Sequence, residues 1–356
     1  MVTPSPIDWG LAAKVAQRVA KRAPQRSPDL QRSLDDDFAA VTCEAETLVA
    51  DHTGLRAPSP ARASVVDRAA WIDANIVSMR RLLAPLTDRI GERLAASRIA
   101  PVGRRAAGAE VGVLLGYMSQ RVLGQYDLLV PDEPGSEHDR DAVYYVGPNI
   151  AALEARYAFP PLDFRRWIAL HELTHRAQFT GVPWLKGYFL SLVEESLSLV
   201  DPDPQRLTRA VGRAVEELRA GRNPFDDGGL VALLAPPEQR AVLDRVQALM
   251  SVLEGHGNAV MNALGREHVA GQDRMARVLS ARRNARGLTS FFHKLLGLES
   301  KMRQYEVGEN FIAAIEREGG PRTVDVIWRG PEMLPSADEL VDPHAWLARV
   351  GSLTAA

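Results

Sequence analysis

The chain reads as an α+β protein, mainly α-helical, with a small sheet beside one central helix and a helical subdomain at its N-terminus. Three observations carry this reading. Apolar residues recur at spacings of three and four over long stretches, two short β-branched or aromatic runs are bounded by Gly and Pro, and a His-Glu-x-x-His pattern sits between clear helix start and stop signals.

Composition agrees with a folded chain of one or two domains: 356 residues, 46% hydrophobic and 25% charged. Forty-three basic against 45 acidic side chains leave a formal charge of -2, so no global basic field draws the chain to nucleic acid or anionic lipid. Cys43 is the single cysteine and cannot close an internal disulfide. With no basic-then-apolar leader pattern and no long uncharged apolar window, the expected location is cytoplasmic, with neither membrane nor nucleic acid as partner.

In chain order, Trp9, Leu11, Ala12, Val15 and Val19 predict a short helix after Pro4 and Pro6, and the polar stretch Ala23 to Asp37 reads as a linker. Helices are expected over Phe38 to Gly54 and Ser64 to Leu83, the second opened by a partial capping box of Ser64 and Asp67. Residues 1–100 thus form the expected helical subdomain and residues 101–356 the core. Within that core, a small-residue helix over Ala106 to Leu123 leads into strands at Tyr126 to Val130 and Ala142 to Val146. Asp163 to Phe179 follows as a helix, with Pro161 and Asp163 before it and Gly181 and Pro183 after. Further helices are expected at 184–200, 204–221, 237–264, 287–297 and 299–318, and Thr323 to Trp328 suggests one more strand.

His171-Glu172-Leu173-Thr174-His175 carries the chemistry. Residues four apart on a helix share a face, so both imidazoles can reach one metal ion, and chance gives this pattern in only about one such chain in a hundred. Zinc accepts His nitrogen at roughly 2.0 to 2.1 Å, and a catalytic site needs three protein ligands and an open position. Glu172, about 100° round the helix, would flank the metal as general base rather than bind it. Arg176, just after the pattern, is expected to snorkel at a pocket rim.

Candidates for the third ligand are Glu254, Glu194 or Glu195, and His256. Glu194 stands 19 residues after His175 (194 - 175), a spacing known from metallopeptidases with a glutamate on the next helix. Glu254 is favoured, because it lies in the apolar run Met250 to Met261, where a carboxylate needs a partner. Gly255 beside it would let another backbone approach closely. His256 and Asn258 can orient ligands through hydrogen bonds, and His256 can alternatively bind the metal itself. Tyr305 can donate its hydroxyl to a tetrahedral oxyanion, although a helix tyrosine packed with its hydroxyl in water fits the sequence better. The arginines from Arg274 to Arg286 read as a solvated helix face, and no Gly-rich phosphate or nucleotide motif is present.

Three segments, Trp167 to Trp184, Leu253 to Met261 and Leu295 to Tyr305, together with Ile7-Asp-Trp9 and Pro343-His-Ala-Trp-Leu347, resemble the actinobacterial zincin-like metallopeptidase family associated with coenzyme F420 biosynthesis. The resemblance implies a zincin-like fold with zinc at the His-Glu-x-x-His helix; the F420 association names no substrate. The sequence therefore predicts a zinc-dependent metallopeptidase cleaving a peptide or related amide bond, with His171, His175 and Glu254 as ligands and a peptide or protein as substrate. Its rival is a zinc-stabilised scaffold without catalysis, in which a fourth ligand such as His256 closes the coordination sphere. A two-His, one-carboxylate iron site ranks below both.

Overall fold

The computed structural model describes residues 5–20, 27–95, 100–128, 142–198, 237–285 and 304–354. The helices expected at 204–221 and 287–297 lie outside them. The chain divides into two compact units, Met1–Pro183 with Val260–Arg277, and Trp184–Ala259 with Val278–Ala356. The fold is α+β and mainly helical, as the sequence predicts.

The first unit opens with α1 (Trp9–Val19) and α2 (Pro28–Thr53). Helix α2 begins ten residues before the predicted start, in the stretch read as linker. Ser27 caps it by accepting from the Leu30 backbone, Pro28 takes the first turn where no N–H is needed, and Leu34 is already fully buried. Gly54, at φ 72°, ends it in the left-handed conformation.

Strand β1 (Arg62–Val66) follows, where the sequence reading placed a helix start. Its β-branched Val65-Val66 pair lies in parallel register with β3 (Ala142–Val146), Val66 opposite Val146. The helix begins only after it, as α3 (Arg68–Leu82), capped by Asp67 through the Ala70 backbone N–H at 2.8 Å. Ser64 is thus a strand residue and Asp67 the cap. Next come α4 (Ala84–Ala95), α5 (Ala100–Met118) and β2 (Gly124–Tyr126), which pairs antiparallel with β3. Helix α5 starts and stops a few residues earlier than expected, and β2 overlaps the predicted Tyr126 to Val130 strand only at Tyr126. The sheet order is β1-β3-β2, and the central strand β3 is the one placed correctly by its sequence.

Helices α1 and α5 meet along a glycine stripe. A Cβ added at Gly108, Gly112 or Gly116 would lie 2.4 to 2.5 Å from the backbone oxygens of Asp8, Ala12 and Ala16. The small-residue composition of α5 is therefore what lets two backbones touch.

Helix α6 (Gly147–Tyr157) leads to α7 (Pro161–Gly181), which carries the His-Glu-x-x-His pattern. Two buried arginines tie α7 to α2. Arg165, 2% exposed, makes a bidentate pair with Glu154 of α6 and donates to Asp37 and Ser33 of α2. Burial alone would lower its pKa, but Glu154 and Asp37 outweigh that and hold it above the ordinary value. Arg176, 1% exposed, donates to Glu46 of α2 and to the Ser59 carbonyl. It does not snorkel at a rim: a carboxylate already engaged by the Ala61 N–H offers it a buried partner.

The second unit holds α8 (Leu185–Ser198), much of α9 (Pro237–His268), α11 (Gln304–Gly319), two 3-10 turns (Thr323–Arg329 and Pro331–Met333), α12 (Ala337–Val341) and α13 (Pro343–Thr354). The division falls within α9, whose residues from Val260 on belong to the first unit, and within α10 (Gln272–Ala285), whose residues up to Arg277 do. Thr323 to Trp328 is helical rather than a strand. Its hydrogen bonds are local, Thr323 N–H to Gly320 and Asp325 N–H to Arg322, and the buried Val324, Ile327 and Trp328 recur at the helical interval. Trp346 packs edge-on against Phe311 and donates to the Met333 carbonyl. Among the described residues, no helix is long and apolar enough to cross a membrane.

The glycine stripe makes a measurable difference between neighbouring positions of one helix. Gly112→Val should lower unfolding free energy by about 2 to 3 kcal/mol through overpacking against α1. Gly103→Ala, with open space around its Cα, should raise it by up to about 1 kcal/mol through helix propensity. Urea denaturation of the two variants checks both signs.

Candidate metal centre

Helix α7 distributes its functional side chains by rotation. At 100° per residue, Arg165, Glu172 and Arg176 fall within about 40° of arc, while His171, His175 and Gln178 fall within about 60° on a face turned some 110° away. Arg165 and Arg176 reach α2 from the arc they share with Glu172, whose carboxylate meets the sheet at Gly124, while the histidines occupy a separate face.

The histidine pair is arranged as a bidentate donor. Nε2 of His171 and Nε2 of His175 are 3.2 Å apart, with the rings nearly perpendicular at 84°. In a tetrahedral zinc site with Zn–N near 2.0 to 2.1 Å, two ligand nitrogens are separated by about 3.3 Å. Two imidazole nitrogens converging at that distance fit one metal ion without rearrangement.

Glu254 of α9 completes a set of three: one ligand atom from each of His171, His175 and Glu254 lies within 4.8 Å of the others, all three residues being half-buried. Gly255 has the close backbone neighbour expected of it, since a Cβ there would meet the Gly308 carbonyl carbon of α11 at 2.3 Å.

Among the described residues, Glu194, Glu195 and His256 are not members of this group. Glu194 and Glu195 are exposed on α8, and Glu195 pairs with Arg245 at 2.6 Å. His256 is 3% exposed and lies edge-on to Trp328, ring centroids 5.1 Å apart; it is outside the three-residue group found among the described residues. Tyr305 is on α11, but its side chain lies outside the described residues.

Glu172, 8% exposed, rests against β2. A Cβ at Gly124 would meet its Cγ at 2.5 Å and its Oε1 at 2.6 Å, so the carboxylate occupies the space where any other residue would place a side chain. Opposite Gly124 in the register is Tyr145, fully buried, stacked on Phe38 at 3.9 Å and sharing a 2.8 Å hydrogen bond with Thr42. Burial drives the Tyr145 phenol far above its usual pKa, the Thr42 bond opposes this, and the Glu172 charge adds to it. Tyr145 is therefore a neutral wall of the niche.

Two contributors, Gly124 and Gln178, are absent from the sequence reading. Gln178 is fully buried with its Oε1 3.0 Å from His175 Nδ1. Its placement three residues after His175 and seven after His171 was the available signal.

A family model described as zincin-like metallopeptidase matches residues 7–347. A crystal structure from Chloroflexus aurantiacus, described as a "putative hydrolase with a novel fold", is 33% identical with a TM-score of 0.73, covering 97% of this chain and 99% of that one. No curated protein matches.

Metal content follows from the ligand set. Protein equilibrated with zinc and desalted should retain about one ion per chain, His171→Ala and Glu254→Ala should each lose it, and Glu195→Ala should keep it, as read by elemental analysis.

Proposed function

Because the chain belongs to the family of zincin-like metallopeptidases, we propose that it is a zinc-dependent hydrolase that cleaves a peptide or related amide bond. The observation that carries the reading is the pair of Nε2 atoms 3.2 Å apart with the Glu254 carboxylate beside them and the Glu172 carboxylate on the adjoining face of the same helix.

Three protein ligands is the count typical of catalytic zinc, whereas structural zinc takes four. When bound, the ion supplies Lewis acidity toward the scissile carbonyl and lowers the pKa of a coordinated water to about 7. The protein's own side chains do the rest. His171, His175 and Glu254 would hold the ion. Glu172, one residue after the first histidine, takes the proton of the attacking water and returns it to the leaving amine, so its carboxylate must be ionised before attack and reprotonated afterwards. The niche between Gly124 and Tyr145 limits the positions that carboxylate can take.

A peptide substrate is favoured by the strand next to the base. Among the described residues β2 is an outer strand of the sheet, and an extended peptide can pair with the backbone of such a strand while its side chains alternate to either side. A cytoplasmic site of action stays part of the proposal on sequence grounds. The F420 association rests on the sequence resemblance alone and names no substrate.

Glu172→Gln separates binding from chemistry. The variant should keep its zinc and lose 10²- to 10⁴-fold in cleavage of a mixed peptide library followed by mass spectrometry, the contribution of general base catalysis. Undiminished cleavage would refute the assigned role.

A further inference from the structure

We propose that Gln178 is a positioning residue for the metal site: it fixes the tautomer and the ring orientation of His175, and so sets the affinity of the site for its ion. The inference rests on the zinc-site reading above.

A neutral imidazole carries one N–H, and only its other nitrogen has a lone pair to give a metal. His175 Nδ1 is 3.0 Å from Gln178 Oε1, a carbonyl oxygen that can only accept, so the proton belongs on Nδ1. Nε2, the atom that faces His171 Nε2 at 3.2 Å, is left as the donor to a metal. The same bond fixes the ring about its Cβ–Cγ axis and restricts the search for the 84° arrangement with His171.

Gln178 is suited to this. It is fully buried, so its amide is shielded from competing water, and it shares α7 with both histidines, so the spacing of the three groups is set by one helix. A carbonyl acceptor raises the basicity of the ring without adding a third carboxylate charge to those of Glu172 and Glu254. Losing such a partner typically weakens metal binding 10- to 100-fold.

The test uses the full-length chain freed of metal by chelator dialysis. Zinc affinity is measured by competition with a chromophoric chelator for the native protein, Gln178→Leu and Gln178→Glu. Gln178→Leu should bind zinc 10- to 100-fold more weakly, and Gln178→Glu, which still accepts from Nδ1–H, should recover most of the loss. Long-range proton–nitrogen spectra of histidine-labelled protein, with His175 assigned from the His175→Ala variant, should show the Nδ1–H tautomer in the native chain and its loss in Gln178→Leu.

Native affinity in a folded Gln178→Leu variant would overturn the inference while leaving the zinc site standing. So would a native His175 that carries its proton on Nε2, a result that needs no variant to fold. Absence of zinc binding in the native protein would instead defeat the zinc-site reading itself.

Discussion

Arg165 and Arg176, three helical turns apart on α7, fix the rotation of that helix, and every feature of the candidate site depends on that rotation. Their guanidinium groups are nearly inaccessible to water and meet Glu154, Asp37 and Glu46. Leaving one such charge buried without its partner costs about 3 to 5 kcal/mol, so a rotated α7 is strongly disfavoured. With the arginine face held on α2, the same helix presents Glu172 to the sheet and the two imidazoles to a separate face. The general-base candidate and the metal-ligand candidates are thus parted by rotation alone, although they are adjacent in sequence.

Missing side chains matter as much as those present. Gly124 yields its side-chain volume to the Glu172 carboxylate, and Gly255 and Gly308 allow the helix bearing Glu254 to touch the backbone of its neighbour. At each place the close approach is below 3 Å from a Cβ position, which leaves glycine as the residue that fits. A carboxylate sharing a niche with Tyr145 has few orientations open to it, and reduced freedom is what a proton acceptor beside a metal requires.

Sequence made the chemistry more legible than the sheet. The i, i+4 histidines within a helix bounded by Pro161 and Gly181 are a local pattern, and so is the half-buried carboxylate of Glu254 in an apolar run. Strand β1 was not legible, because Arg62–Val66 abuts a helix start and its identity comes from parallel pairing with β3, more than 70 residues on. Thr323 to Trp328 misled through β-branched composition, although its apolar interval is that of a helix. Gln178 carried only its helical spacing from the two histidines, which marks a shared face and not a hydrogen bond, and only the structure shows it facing His175. Arg176 looked like a rim residue because its partner Glu46 lies 130 positions away.

Diffraction from crystals of the zinc-loaded protein, with an anomalous difference map recorded at the zinc edge, tests the central claim most directly. The account predicts one strong peak, about 2.0 to 2.2 Å from Nε2 of His171, Nε2 of His175 and a carboxylate oxygen of Glu254, with no fourth protein ligand. A peak elsewhere, or a coordination sphere closed by His256, would contradict it.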